Sequence, residues 1–205
     1  MIMSQLILIR HGQSVWNAEN RFTGWVDTPL SERGRTEAKQ AGDLLAAEGL
    51  QVGRAFTSTL RRAIDTGRIV LDALGQDDLG QEQAWQLNER FYGALTGRNK
   101  AQTAEEFGEE QVRIWRRSYQ TAPPGGESLK DTADRTLPYF HQVIRPATHQ
   151  SSGVLVSAHG NSLRAIVKEL DGLDDQAVMS LEIPTGVPIV YDLADGHVIG
   201  KRILT

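Results

Sequence analysis

Two short stretches of this chain are apolar at every position rather than at alternate ones. Leu6-Ile7-Leu8-Ile9 and Val154-Leu155-Val156 lack the period of two expected of a half-exposed strand, and unbroken apolar runs of this length suit strands buried on both faces. Each run leads into a polar turn carrying a His-Gly pair, His11-Gly12 and His159-Gly160. Residues 31–45, opened by Ser-Glu-Arg-Gly, and residues 60–74 have helical character, with a shorter strand predicted at 55–57. Residues 81–124 are more polar and contain helix candidates at 100–107 and 109–119, which predicts a helical excursion from the sheet. Pro123-Pro124-Gly125-Gly126 ends that excursion, and helices are predicted again at 127–144 and 162–170. The chain closes with strands at 188–192 and 197–204 that turn at Asp195-Gly196. Strands alternating with helices predict an α/β fold, a three-layer sandwich with a mostly parallel central sheet and helices on both faces.

Composition narrows the picture. At 205 residues the chain suits a single domain spanning 1–205. Hydrophobic residues make up 40% and charged residues 23%, ordinary for a globular protein. A formal net charge of −4 does not provide the basic field that nucleic acid or an anionic membrane demands, so neither is expected as a partner. There is no cysteine, which excludes disulfides, thiolate nucleophiles and Cys-based metal sites. No apolar segment has the length of a signal core or a membrane span, which leaves a cytoplasmic location as the default expectation.

The candidate chemistry gathers where the two buried strands end. In open α/β sheets, ligands bind beyond the carboxyl ends of the strands. Two His residues delivered to that edge could face each other, one flanked by Arg10 and Gly12, the other by Gly160 and Asn161. A permanent cation, two imidazoles, an amide and two positions without side chains suit an anion, and a neutral imidazole nitrogen is a competent phosphoryl acceptor. Phosphoryl transfer rests on positioning and electrostatic stabilisation, for which Arg10, Arg62 and His159 are the candidates. Glu89, in Leu87-Asn88-Glu89-Arg90, is the candidate proton donor and acceptor for a reacting hydroxyl. None of the five His residues shows the spacing of a metal site, and His141, His149 and His197 read as ordinary structural residues. The four Trp residues read as packing residues.

In order along the chain, Leu8-Ile9-Arg10-His11-Gly12-Gln13-Ser14-Val15-Trp16-Asn17, Phe22-Thr23-Gly24-Trp25, Thr57-Ser58 with Arg61-Arg62-Ala63, Leu87-Asn88-Glu89-Arg90 with Tyr92-Gly93, and Ala158-His159-Gly160-Asn161-Ser162-Leu163-Arg164 resemble the 2,3-bisphosphoglycerate-dependent phosphoglycerate mutases of the histidine phosphatase superfamily. Arg-His-Gly alone is weak evidence; the ordered set is strong. The resemblance implies one phosphoglycerate mutase domain that interconverts 3- and 2-phosphoglycerate, with 2,3-bisphosphoglycerate as primer and no metal. It further implies that His11 is phosphorylated, that Arg10, Arg62 and His159 surround the transferring group with Asn17 and the backbone at Gly160 assisting, and that Glu89 moves the proton. Ser14, Thr23, Gly24, Tyr92, Lys100, Arg116, Arg117 and Asn161 would hold the glycerate carboxylate and second phosphate. The partner is then a small-molecule substrate. Oligomeric state stays open, because such a family includes monomers as well as homo-oligomers.

Three departures stand out. Phe91 occupies a position where His is more usual, the connection from Arg117 to Glu127 is short, and the chain ends at Thr205 without the tail that covers the site in longer members. Phe91 is expected to have little effect, whereas the short connection and the missing tail predict more leakage of the phosphoenzyme to water. A phosphatase of the same superfamily is the competing expectation, followed by a non-catalytic phosphate-binding protein. The intact set of His11, Arg62, Glu89 and His159 speaks against the latter, and the chain's short length and lack of His and Asp clusters speak against a two-metal mutase.

Overall fold

The computed structural model describes residues 2–205. Along the chain the elements run β1 (Met3–Arg10), α1 (Val15–Ala18), α2 (Glu32–Ala47), β2 (Arg54–Thr57), α3 (Arg61–Ala73), β3 (Gln81–Gln83), α4 (Lys100–Phe107), α5 (Glu109–Arg117), α6 (Leu129–Tyr139), α7 (Arg145–Thr148), β4 (Gly153–Ala158), α8 (Gly160–Asp171), α9 (Asp175–Ser180), β5 (Pro188–Ala194) and β6 (His197–Ile203). One six-stranded sheet has the order β3-β2-β4-β1-β5-β6. The β1–β4, β2–β4 and β2–β3 pairs are parallel, while β5 and β6 extend the sheet antiparallel. This is the expected α/β sandwich.

The unbroken apolar runs are explained by the two faces of this sheet. From β1, Leu6 and Leu8 point into a core with Val154, Val156, Phe140, Leu163 and Ile166, under α6 and α8. Ile7 and Ile9 point the other way, onto Leu155, Ala41, Leu45, Val70 and Leu71 of α2 and α3. With period two and a helix layer on each side, no position on β1 or β4 from residues 6–9 or 154–156 meets water, and each buried aliphatic side chain there contributes about 1.5–3 kcal/mol.

Helix α2, with α3, thus covers one face and α8, directly after β4, covers the other, so a crevice opens at the carboxyl ends of these neighbouring strands. Their register pairs Arg10 with Ala158, and His11 N–H donates to Ala158 O at 2.9 Å. His11 and His159 are therefore delivered side by side.

The excursion is partly corrected. It opens on a short edge strand, β3, whose polar Gln-Glu-Gln sequence gives no apolar signal, and then carries α4 and α5 around a small core of Phe22, Leu95 and Val112. The helix predicted at 127–144 begins two residues later, at Leu129, with Ser128 as its capping residue. It passes through a wider π-type turn at Phe140–Ile144, bracketed by Pro138 and Pro146, before α7. A proline lacks an N–H for the α ladder, and a wider turn is one way of accommodating the break. Helices α1 and α9 have no counterpart in the pattern because each is too short to show periodicity. No helix among the described residues is long and apolar enough to cross a membrane.

Candidate active site

At the end of β1 the His11 imidazole is buried, and its Nδ1 lies 2.7 Å from Gly12 O. A carbonyl can only accept, so Nδ1 carries the proton and Nε2 keeps its lone pair. Arg62 Nε–H points at that same Nε2 from 3.3 Å, a donor that agrees with this tautomer. Burial first, then Arg62 and Arg10, hold the His11 pKa well below its usual value. Its Nε2 therefore presents a neutral, oriented lone pair at pH 7, as a nucleophile requires.

Arg62 stands in the first turn of α3 and is almost wholly buried without a carboxylate partner. Its Nη1 and Nη2 donate to Val26 O at 2.9 Å and Gly24 O at 2.8 Å. These bonds fix the guanidinium but leave its charge uncompensated by direct contact, and burial brings its pKa down to about 10. His159 packs edge-on to His11 with ring centroids 4.9 Å apart. Its Nε2 is hydrogen-bonded to Ser58 Oγ at 2.7 Å, and burial, then Arg62, His11 and Arg10, lower its pKa strongly. Arg10 donates through Nη1 to Ile183 O at 2.8 Å.

Glu89 lies in an irregular segment between two single-turn helices, at Trp85–Leu87 and Gly93–Leu95. Its Oε1 accepts from Arg90 N (2.8 Å), Asn161 N (3.2 Å) and Asn161 Nδ2 (2.8 Å). Burial alone would raise its pKa. The bonds from Arg90 and Asn161, with Arg10 and Arg62, outweigh that and lower it.

Around these groups are two adjoining cavities. The inner one is lined by His11, Asn17, Thr23, Gly24 and Arg62, the outer one by Arg116, Arg117, Gly160, Asn161, Arg164 and Glu182, and both by Arg10, Glu89, Tyr92 and Lys100. Lys100, crowded by burial and then by Arg116 and Arg10, has its pKa lowered to about 8. The buried donors Arg10 Nε and Arg117 Nη1 have no partner, nor do His159 Nδ1 and Thr23 Oγ1. Buried donors without acceptors call for an explanation, and a polyanion in the cavities would satisfy those of Arg10, Arg117 and Thr23.

Most of the residues singled out in the sequence thus meet around one crevice. His159 lies behind His11 rather than on the cavity wall. Ser14 is the exception: its Oγ accepts from Asn17 N at 3.2 Å and caps α1, and it lines neither cavity. The reading of Gly12 is corrected as well. A Cβ there would stand 2.1 Å from Gly34 O, so its bareness serves the packing of α2 rather than an anion, whereas the bareness of Gly160 does keep space beside Arg10 and Glu89. Trp25 and Trp85 are only partly packed, being 38% and 49% exposed. Arg164 and Glu182 were not singled out as site residues, although Arg164 could have been found from its place one turn after Asn161 on α8. Among the described residues no group of three His, Cys, Asp or Glu side chains is arranged to hold a metal ion.

Residues 6–202 match the histidine phosphatase superfamily (branch 1). A 2,3-bisphosphoglycerate-dependent phosphoglycerate mutase of Parvibaculum lavamentivorans is 54% identical, over 97% of this chain and 95% of the relative. Its counterpart in Mesorhizobium japonicum is 52% identical, over 97% of both. Among solved structures, a mycobacterial glucosyl-3-phosphoglycerate phosphatase in complex with VO3 superposes with a TM-score of 0.80 at 29% identity, covering 92% of each chain. With its paired strand-end histidines and near full-length likeness to these enzymes, the chain belongs to the histidine phosphatase superfamily, and within it to the 2,3-bisphosphoglycerate-dependent phosphoglycerate mutases.

Proposed function

We infer that the protein interconverts 3-phosphoglycerate and 2-phosphoglycerate through a phosphohistidine at His11, as a single domain acting in the cytoplasm on a small-molecule substrate. One observation carries this reading: two cationic cavities adjoin, and a single carboxylate, Glu89, lines both. A hydrolase needs one anion cage and a water. A mutase must hold a phosphoryl group at the nucleophile and a second anionic group beyond it, and must serve two different hydroxyl oxygens with a proton.

The unpartnered buried donors of the crevice fit 2,3-bisphosphoglycerate as primer, held by Arg10, Arg62, Lys100, Arg116 and Arg117. When bound, it supplies the phosphoryl group that loads His11. From there the work falls to this chain's own residues. Glu89, kept ionised by its hydrogen bonds and neighbouring cations, takes the proton from the 2-hydroxyl of 3-phosphoglycerate as that oxygen attacks phosphorus and the His11 Nε2–P bond breaks. The doubly phosphorylated glycerate then turns in the crevice. His11 Nε2 attacks the other phosphoryl group, and Glu89 returns the same proton to the oxygen that leaves, so the cycle conserves it. Arg62 and Arg10 stabilise the charge on the transferring oxygens, His159 backs the His11 ring edge-on, and Asn17, Thr23, Gly24, Tyr92 and Asn161 orient the glycerate.

Conversion of 3-phosphoglycerate, measured with and without added 2,3-bisphosphoglycerate in excess chelator, tests the reading. Activity that requires the bisphosphate and ignores the chelator is expected, and phosphate release without isomerisation would make the protein a phosphatase. Loss of activity on chelation would overturn the metal-free scheme. His11→Ala is expected to abolish phosphoenzyme labelling. The short connection after Arg117 is proposed to let some phosphoenzyme leak to water, read as the ratio of bisphosphoglycerate hydrolysis to mutase turnover.

A further inference from the structure

Behind the catalytic cage stands a charged group that the chemistry does not use, the Arg135 side chain, only 9% exposed. We propose that Arg135, on α6, is a positioning residue that holds the Gln86–Glu89 backbone so that the Glu89 carboxylate meets both reacting oxygens. This rests on Glu89 as the proton carrier.

The segment around Glu89 has no sheet ladder or continuous helix to satisfy its carbonyls, and buried backbone oxygens need partners. Arg135 supplies them. Its Nη1 donates to Gln86 O at 2.9 Å and Asn88 O at 3.1 Å, and its Nη2 donates to Glu89 O at 2.9 Å. The remaining donors go to one carboxylate, Nε to Glu127 Oε1 and Nη2 to Glu127 Oε2, both at 2.9 Å. All five guanidinium N–H groups are thereby used in a fixed plane, a geometry that lysine cannot reproduce.

The surroundings tighten this arrangement from three sides. Thr136, the next residue on α6, donates its hydroxyl to the same Gln86 O at 2.9 Å. Trp25 donates Nε1–H to Glu89 O at 2.6 Å while the Arg135 guanidinium lies over its ring, 5.6 Å from the centroid. Glu127 also accepts from Phe91 N at 2.9 Å, so the far end of the segment is tied to the same ion pair. With the backbone so clamped, Glu89 Oε1 is held by Arg90 and Asn161. Arg135 lines neither cavity, so its direct contacts meet the chemistry through the backbone that carries Glu89.

Arg135→Lys retains the positive charge and loses the fork. The test is rapid-quench labelling of His11 from isotopically labelled 2,3-bisphosphoglycerate in the full-length protein, which separates the rate constant of labelling from its final stoichiometry. The expected result is a rate constant lowered about ten- to a hundredfold, since a displacement near 1 Å has that order of effect. Final stoichiometry and the KM for 3-phosphoglycerate should stay within about twofold, because the distal cations are untouched. The pH profile of the rate should shift upward as Glu89 loses its backbone donors. A wild-type rate constant, or a fall in stoichiometry and Tm with the rate constant intact, would overturn the proposal. Glu127→Gln, a gentler change, should slow labelling about threefold, and no slowing would count equally against it. Glu89→Gln runs alongside: if it is slow while Arg135→Lys is normal, only the positioning role fails. If Glu89→Gln labels normally, Glu89's role fails and the Arg135 inference falls with it.

Discussion

Arg117 Nη2 lies 2.5 Å from Glu182 Oε1 at the mouth of the outer cavity, and the same carboxylate stands 3.7 Å from Arg164 Nη2. Among the Arg and Lys residues lining that cavity, Arg117 is thus already paired with an anion from its own chain. Under the proposed function a substrate phosphate must displace or share this partner. Because the Glu182 side chain is 63% exposed, solvent screens the pair, and its worth is set at about 0.2–1 kcal/mol. Glu182→Gln is therefore expected to lower the KM for 3-phosphoglycerate about two- to fivefold with kcat little changed. An unchanged or raised KM in steady-state kinetics would contradict this.

Lys100 gives the crevice a titration near neutral pH. Burial and the nearby Arg116 and Arg10 lower its pKa to about 8 in the free site, so its positive charge fades as pH rises through that value. An anionic ligand favours the charged form, hence binding weakens on the alkaline side. Between pH 8 and 9 the charged fraction falls from about one half to about one tenth, and the KM is expected to rise about fivefold. In Lys100→Arg this rise should largely vanish; a profile that keeps it would assign the titration elsewhere.

What was legible in the sequence depended on how local its cause was. His11 and His159 could be found because an apolar run followed by His-Gly is a local signal, and their meeting follows from a parallel β1–β4 pair. Arg62 could be placed inward by its motif, and it is buried while Arg61 is exposed. Glu182 and Arg135 carried no such signal. Glu182 reaches Arg117 across 65 residues and Arg135 reaches Gln86 across 49, contacts that exist only after α6 and the segment before β5 have packed. Strand β3 escaped because an edge strand of Gln-Glu-Gln buries too little to pattern its sequence.

Two buried histidines should make stability sensitive to mild acid. The pKa of each is depressed in the folded protein, by burial first and then chiefly by Arg62. Folded His11 and His159 stay neutral where the unfolded chain, with values near 6.5, binds protons, so the stability present above pH 6.5 is lost as pH falls below it. The slope is about 1.4 kcal/mol per pH unit for each histidine. His11→Gln should reduce the fall in unfolding free energy between pH 6.5 and 5.5 by about 1 kcal/mol, since the full slope is reached only below the unfolded value, as read from urea melts at the two pH values. An equal fall in both proteins would mean that His11 titrates normally when folded.

Gly12 ties His11, the proposed nucleophile, to the packing of the sheet against α2. A Cβ at Gly12 would stand 2.1 Å from Gly34 O and 2.7 Å from Gly34 C, which are backbone atoms that cannot swing away. The Gly12 carbonyl also accepts the hydrogen bond of His11 Nδ1–H and so leaves Nε2 with the free lone pair. Gly12→Ala is thus expected to cost about 1–3 kcal/mol, or more, by overpacking. It should also slow His11 labelling, because the carbonyl that fixes the ring must shift with the backbone. Gly34→Ala meets Gln13 O at 2.1 Å across the same seam, so the double variant should cost less than the sum of the two. Gly80→Ala, where a Cβ meets nothing within 4 Å, is the control and should stay within about 0.5 kcal/mol of wild type. Equal stability of Gly12→Ala and Gly80→Ala in denaturant melts would show that α2 gives way at that seam and that the nucleophile does not depend on it.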